Sequence, residues 1–175
     1  MTTERIQIRQ LTLLALLTAL AVVLRIAKII PIPNVQPVTD ILMIVTLELG
    51  IGFGFSMAVL VMVISNIFLG FGIWTIPQIF AYAVCVVVVY LCSKFSVFKK
   101  HFSVQIVVAS LLGYVYGLAI NFGMSIWGGF PAFIAYTIGS FSFDTYHCIG
   151  NFIFYPLLYK PLTIALKRYK RGNIK

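Results

Sequence analysis

Apolar runs about as long as a bilayer is thick follow one another along this chain, parted by short breaks that carry Gly and Pro. A helix rises about 1.5 Å per residue, so about 20 apolar residues cross the hydrocarbon. Hydrophobic residues make up 61% of the 175 and charged residues only 10%. A soluble domain of this size keeps too much surface to hide that much apolar material, so lipid is the solvent that suits it. In lipid the backbone must satisfy its own hydrogen bonds, which leaves helices or a closed barrel. Barrel strands alternate polar and apolar residues, whereas these runs are continuous and rich in Leu, Ile, Ala and Val. The expectation is an all-α integral membrane protein: one multi-pass transmembrane domain over residues 1–175, in a cell membrane.

The runs divide into six expected spans. The first extends from about Ile8 to Ile30, where Pro31, Pro33 and Pro37 end it and hold an extended loop. The second, Val38 to Leu49, is short for a full crossing. Gly50, Gly52 and Gly54 part it from the third, Phe55 to Leu69, although the two could instead form one long span. The fourth runs from Ile76 to Ser93 and the fifth from Val104 to Met124. The sixth starts near Ala132 and reaches beyond Leu158, with Pro156 as the expected kink. With the N-terminus inside, cytoplasmic segments hold Arg5, Arg9, Lys94, Lys99, Lys100, Lys160, Lys167, Arg168, Lys170, Arg171 and Lys175. These are eleven of the thirteen basic residues, in line with the positive-inside rule. Five spans would put the tail, with six of them, outside. Six transmembrane helices with cytoplasmic N- and C-termini follow. No small-residue cleavage site succeeds the first apolar run, so it is expected to remain as a span.

The net charge of +9 reads as lipid anchoring, because the basic residues gather at helix ends; no nucleic-acid partner is expected. Cys85, Cys92 and Cys148 lie in apolar stretches, without metal-ligand spacing, and read as buried thiols with no disulfide. There is no phosphate-binding Gly-x-x-x-x-Gly-Lys loop, no His-Glu-x-x-His site and no Gly-x-Ser-x-Gly nucleophile. The reading is of a non-enzyme without a metal or cofactor. An intramembrane enzyme would have to draw on Asp144 and His147. A self-sufficient secondary transporter would need the same pair for its ion path.

Several polar residues break the apolar pattern. Arg25 and Lys28 lie near the outer end of the first span. Either they snorkel to headgroups, or Arg25 turns inward to meet a ligand or an acid, with Asp40 the nearest. Trp74 and Trp127 sit in two Gly- and Pro-bearing breaks on the outer side. They form the lip of a ligand pocket or are ordinary interfacial indoles. Gln78 and Tyr82 follow Trp74 one turn apart, and Asn66 and Asn121 lie in outer halves of their spans. Asp144, His147 and Asn151, at i, i+3 and i+7, share a helical face. They serve as a structural hydrogen-bond network or as ligand contacts, and His147 as a possible proton relay. Glu48 reads as an interfacial residue or a partner contact. Ala15 and Ala19, four apart, let another helix approach closely.

Four segments together carry a resemblance: Ala15-x-x-x-Ala19, Ile32-Pro33-Asn34-Val35-Gln36-Pro37-Val38-Thr39, Gly70-Phe71-Gly72-Ile73-Trp74-Thr75-Ile76-Pro77-Gln78, and Phe143-Asp144-Thr145-Tyr146-His147-Cys148-Ile149-Gly150-Asn151. With them the chain resembles the S components of energy-coupling factor (ECF) vitamin transporters, and within these a subgroup associated with cobalamin or related corrinoids. S components for pantothenate, pyridoxine, hydroxymethylpyrimidine and folate share the architecture. The resemblance implies a high-affinity substrate-binding subunit of an ABC-type uptake system. It implies capture of a vitamin on the outward face and docking on an EcfT-like membrane scaffold protein driven by two EcfA-like cytoplasmic ATPases. The subunit then topples in the bilayer to deliver the ligand. Ala15 and Ala19 carry over as scaffold contacts. For the ligand site Trp74, Gln78, Tyr82, Asn121 and Trp127 rank first, and Asn34, Gln36, Asp40 and Asn66 second. Indoles stack on a flat ring and amides meet peripheral amides, while a strongly anionic ligand would call on Arg25. Arg25, Asp144, His147 and Asn151 form the expected polar network.

Overall fold

Every long apolar run becomes a helix, because a continuous helix is what satisfies the backbone in lipid. The computed structural model describes residues 3–27, 30 and 32–172; Lys28, Pro31 and Lys175 lie outside the described residues. The helices are α1 (Thr3–Ile26), α2 (Val38–Leu49), α3 (Ile51–Leu69), α4 (Thr75–Cys92), α5 (Ser96–Lys100), α6 (Phe102–Met124) and α7 (Gly129–Gly172). A single 3₁₀ turn, Ser125–Trp127, joins the last two. No strand occurs among the described residues.

Among the described residues, five helices are long and apolar enough to cross a membrane: α1, α3, α4, α6 and α7. The second expected span differs. Residues Val38 to Thr46 of α2 are buried without interruption. A short helix buried on every side belongs inside a protein, and α2 packs against α1, α3, α4, α6 and α7. The six expected spans thus become five lipid-length helices around a short central one. The single long span over α2 and α3 is excluded. Gly50 takes φ +97° and reverses the chain, and Gly54 then backs onto Thr46 with no room for a Cβ.

The final helix, α7, reaches well beyond Leu158, as expected. It starts at Gly129 and continues for 44 residues through Pro156 and Pro161. Its last turns reach the start of α1 and the end of α2. The Arg9 guanidinium lies over the Tyr169 ring at 5.5 Å, and Lys170 Nζ meets the Glu48 carboxylate at 2.8 Å. Glu48 is therefore clasped within the chain. The opposite end of the bundle gathers the α1–α2 loop, the α3–α4 loop and the 3₁₀ turn. α5 was not expected from the sequence; buried Phe98 seats it, and Gln105 Nε2 donates to the Phe98 carbonyl at 3.0 Å. Ile67, Phe68, Ile73 and Phe130 stand exposed on the outside. In water such a surface would mark an interaction site; beside helices of membrane-spanning length it suits a hydrocarbon surrounding. Cys85, Cys92 and Cys148 are free thiols, the first and last of them buried.

Candidate functional site

At the loop end, the last turn of α1 sends Arg25 inward, where it is 8% exposed. Its guanidinium donates to Ser65 Oγ and to Asn66 Oδ1 at 2.9 Å. The headgroup reading of Arg25 is thereby corrected: α3 offers acceptors at two successive positions, so the charge is held inside. Asn66 uses both sides of its amide. While Oδ1 faces the guanidinium, Nδ2 donates to Thr75 Oγ1 at 3.0 Å and to Gln78 Oε1 at 2.7 Å. One side chain thus ties α1, α3 and α4, and a carboxamide is suited to this because it accepts at one end and donates at the other.

One turn along α4, Tyr82 is fully buried, and Gln36 Nε2 reaches toward its hydroxyl at 3.5 Å. Asn34 holds φ +63°, a left-handed conformation that Asn accepts more readily than most residues. This turns the loop back over the bundle. A cavity of about 290 Å³ opens there, lined by Arg25, Asn34 and Gln36 with Ile32, Val35 and Leu69. Asp40 lies one helical turn past Gln36 and is completely buried. Neither of its carboxyl oxygens has a hydrogen-bond partner, and no ion pair joins it to Arg25 among the described residues.

The two indoles have different surroundings. Trp74 is exposed and folds back on its own loop: Nε1–H donates to the Gly70 carbonyl at 3.3 Å, and the ring covers Gly72. Trp127 is exposed and lines an apolar cleft of about 320 Å³ with Pro77, Phe80 and Phe122. Both loops do lie at one end of the bundle, since Gly123 packs on Pro77. The cleft at Trp127 and the cavity at Arg25 have separate linings.

Asn121 belongs to another group. Its Nδ2 donates to Ser140 Oγ at 2.8 Å, and Ser140 Oγ donates to Asp144 Oδ2 at 2.7 Å. The Asp144 carboxyl group fills the notch left by Gly117. Thr39 Oγ1 and His147 Nε2 share a hydrogen bond of 2.7 Å, and Asn151 Nδ2 donates to the Ala109 carbonyl at 2.9 Å. The shared face of α7 thus stitches that helix to α6 and α2. A column of rings joins this network to the cavity side: Tyr82 to Tyr116 at 4.5 Å, and Tyr116 edge-on to His147 at 5.2 Å.

Of the expected site residues, the structure brings Asn34, Gln36, Asn66, Gln78 and Tyr82 around Arg25, and leaves Asn121 and the indoles apart. Ser65, Thr75, Ser140 and Thr39 escaped the sequence reading. The adjacency of Ser65 to Asn66, and of Thr75 to Gln78 three positions on, was the available signal. Ala15 and Ala19 are exposed on an open stripe of α1 with Ile8 and Val23. A guanidinium among amides and hydroxyls can offer donors to carboxylate, phosphate or carbonyl oxygens.

A protein-family model described as "ECF transporter, substrate-specific component" matches residues 9–159. No curated protein and no solved structure matches the chain.

Proposed function

Because the chain belongs to the family of ECF transporter substrate-specific components, we propose that it captures a compact, vitamin-type small molecule in the cavity above Arg25 for ATP-driven uptake. Members of this family are multi-pass, substrate-binding membrane subunits, and ATP hydrolysis is the work of separate partners. The observation that carries the ligand reading is the tie from Arg25 through Asn66 to Gln78 at the base of a cavity. A buried guanidinium held by neutral groups keeps a full charge available, which favours a carboxylate, a phosphate or a strongly polarised carbonyl. A volume of about 290 Å³ falls near the small end of the roughly 300–1,000 Å³ range of ligand pockets. A small, carboxylate-bearing B vitamin of the pantothenate kind fits that description. Gln36 and Asn34 share the cavity lining and supply further hydrogen bonds, whereas Tyr82 and Asp40 are fully buried behind it.

A corrinoid is the second reading. The segments around Asn34, Trp74 and Asp144 resemble the cobalamin-associated subgroup, and two exposed indoles at one end offer flat faces. A ligand of that size requires the Arg25 cavity and the Trp127 cleft to merge as the loops part.

The loop end faces outward and both termini lie in the cytoplasm in this proposal. The distribution of basic residues supports it. The open alanine stripe of α1 is the contact for the membrane scaffold, where small side chains permit close helix approach.

Native mass spectrometry of the purified chain with cobalamin, pantothenate, pyridoxine, hydroxymethylpyrimidine and folate tests the ligand class. One retained vitamin is expected, and it is lost in Arg25→Gln. Retention of the corrinoid alone selects the second reading. Retention of none, together with proton-driven uptake by the isolated chain, would replace the proposal with a self-sufficient transporter.

A further inference from the structure

At the opposite end of the bundle, a second cavity of about 270 Å³ opens between α2, α5 and α7, with Glu48, Lys99, Gln105, Thr163 and Lys167 in its lining. Its charges are unequal. Glu48 is the one carboxylate, and Lys170 occupies it from outside the lining: Nζ contacts Glu48 Oε2 at 2.8 Å and the Glu48 backbone carbonyl at 2.7 Å. Lys167 stands off at 4.0 Å from the other carboxylate oxygen. Lys99 makes no ion pair among the described residues.

The neutral groups divide in the same way. Gln105 is committed, donating to the Phe98 carbonyl at 3.0 Å and accepting from Tyr155 Oη at 2.8 Å. The Thr163 hydroxyl is not. The residue is 6% exposed and its Oγ1 has no partner. Buried hydroxyls in folded proteins are paired as a rule. One left unpaired in the wall of a cavity, with two ammonium groups in the same wall, points to an acceptor from outside the chain. With one carboxylate already taken by Lys170, the complement to Lys99 and Lys167 is an oxyanion.

We propose that this cavity is a phosphate site. Lys99 and Lys167 supply charge, and Thr163 donates the hydrogen bond that fixes the phosphate oxygen. The phosphate belongs to an anionic lipid headgroup or is free in solution; both present the same oxygens. α5 owes its place to this arrangement, since the buried Phe98 ring seats the short helix that carries Lys99. An occupied site links α5, α2 and α7 at the end where the basic residues gather, where an anionic leaflet surface concentrates such headgroups.

The test uses the purified full chain in detergent. Native mass spectrometry follows retention of phosphatidylglycerol against diacylglycerol, which lacks the phosphate. Thermal unfolding follows inorganic phosphate against chloride at equal ionic strength. Lys99→Gln changes an exposed side chain and Thr163→Val keeps the shape. Each is expected to reduce phosphatidylglycerol retention about tenfold, the loss of one charge-assisted contact, with diacylglycerol retained by none. Protection by inorganic phosphate without lipid retention, again lost in Lys99→Gln, assigns the free anion. Equal phosphatidylglycerol retention by wild type and Lys99→Gln, with no phosphate protection, overturns the site. Should Thr163→Val fail to fold, the exposed Lys99 variant decides alone.

Discussion

Replacing Gly117 by Ala puts a methyl group where the Asp144 carboxyl group now sits. Asp144 is not free to swing aside, because Ser140 binds it and Asn121 in turn binds Ser140. Overpacking a well-filled contact costs about 1–3 kcal/mol. Breaking the two hydrogen bonds of this chain adds about 1 kcal/mol each. Ala returns up to about 1 kcal/mol through its better helix propensity. The expected net loss is about 2–4 kcal/mol. Gly139, on the same α7, supplies the control: a Cβ there meets nothing within 4 Å, so Gly139→Ala should be neutral or stabilise by up to about 1 kcal/mol. Adding Asp144→Ala to Gly117→Ala vacates the space and should recover the overpacking part. Equilibrium unfolding in mixed micelles, followed by far-ultraviolet circular dichroism, measures all four proteins. Equal stability of Gly117→Ala and Gly139→Ala, or a double variant no better than the single one, would refute the α6–α7 contact as described.

The remaining predictions concern binding and transport. Arg25→Gln should raise the dissociation constant of the vitamin retained in native mass spectrometry by about 10- to 150-fold, one hydrogen bond to a charged group. For a compact ligand Trp74→Ala should leave that constant nearly unchanged by titration calorimetry, whereas a stacked corrinoid would reverse the ranking of the two variants. Ala15→Trp combined with Ala19→Trp should bind the vitamin normally yet abolish its uptake in cells expressing the complete transporter; normal uptake would remove α1 from the docking face.

Helix boundaries were legible because lipid permits few alternatives. α2 ends at Leu49 and α3 at Leu69, each where an apolar run meets glycine, and both ends were read directly from the chain. The depth of α2 was not legible, since a mostly apolar run looks the same whether lipid or protein surrounds it. The direction of Arg25 was equally hidden: its acceptors Ser65 and Asn66 stand 40 and 41 positions away. Asn66, Gln78, Tyr82, Asn34 and Gln36, named from the sequence, do lie near one another beside Arg25. Asn121 was grouped with them on depth alone, and the rotation of α6 turns it toward Ser140 on α7 instead. Pro156 marked the expected kink, yet α7 continues past it. α5, with five residues, was too short for any periodicity to declare it.

The twelve residues of α2 cover about 18 Å of a hydrocarbon layer about 30 Å thick. Glu48, near one end, is pinned among the lysines of the tail, and residues Val38 to Thr46 are buried. In the proposed orientation the cavity lined by Asn34 and Gln36 is the way in to Arg25. A solute descending into it leaves bulk electrolyte behind before it meets Arg25, and a charge shielded by neither water nor salt attracts over a longer range. A buried charge of this kind gives the proposed binder a means of sorting anions from neutral solutes.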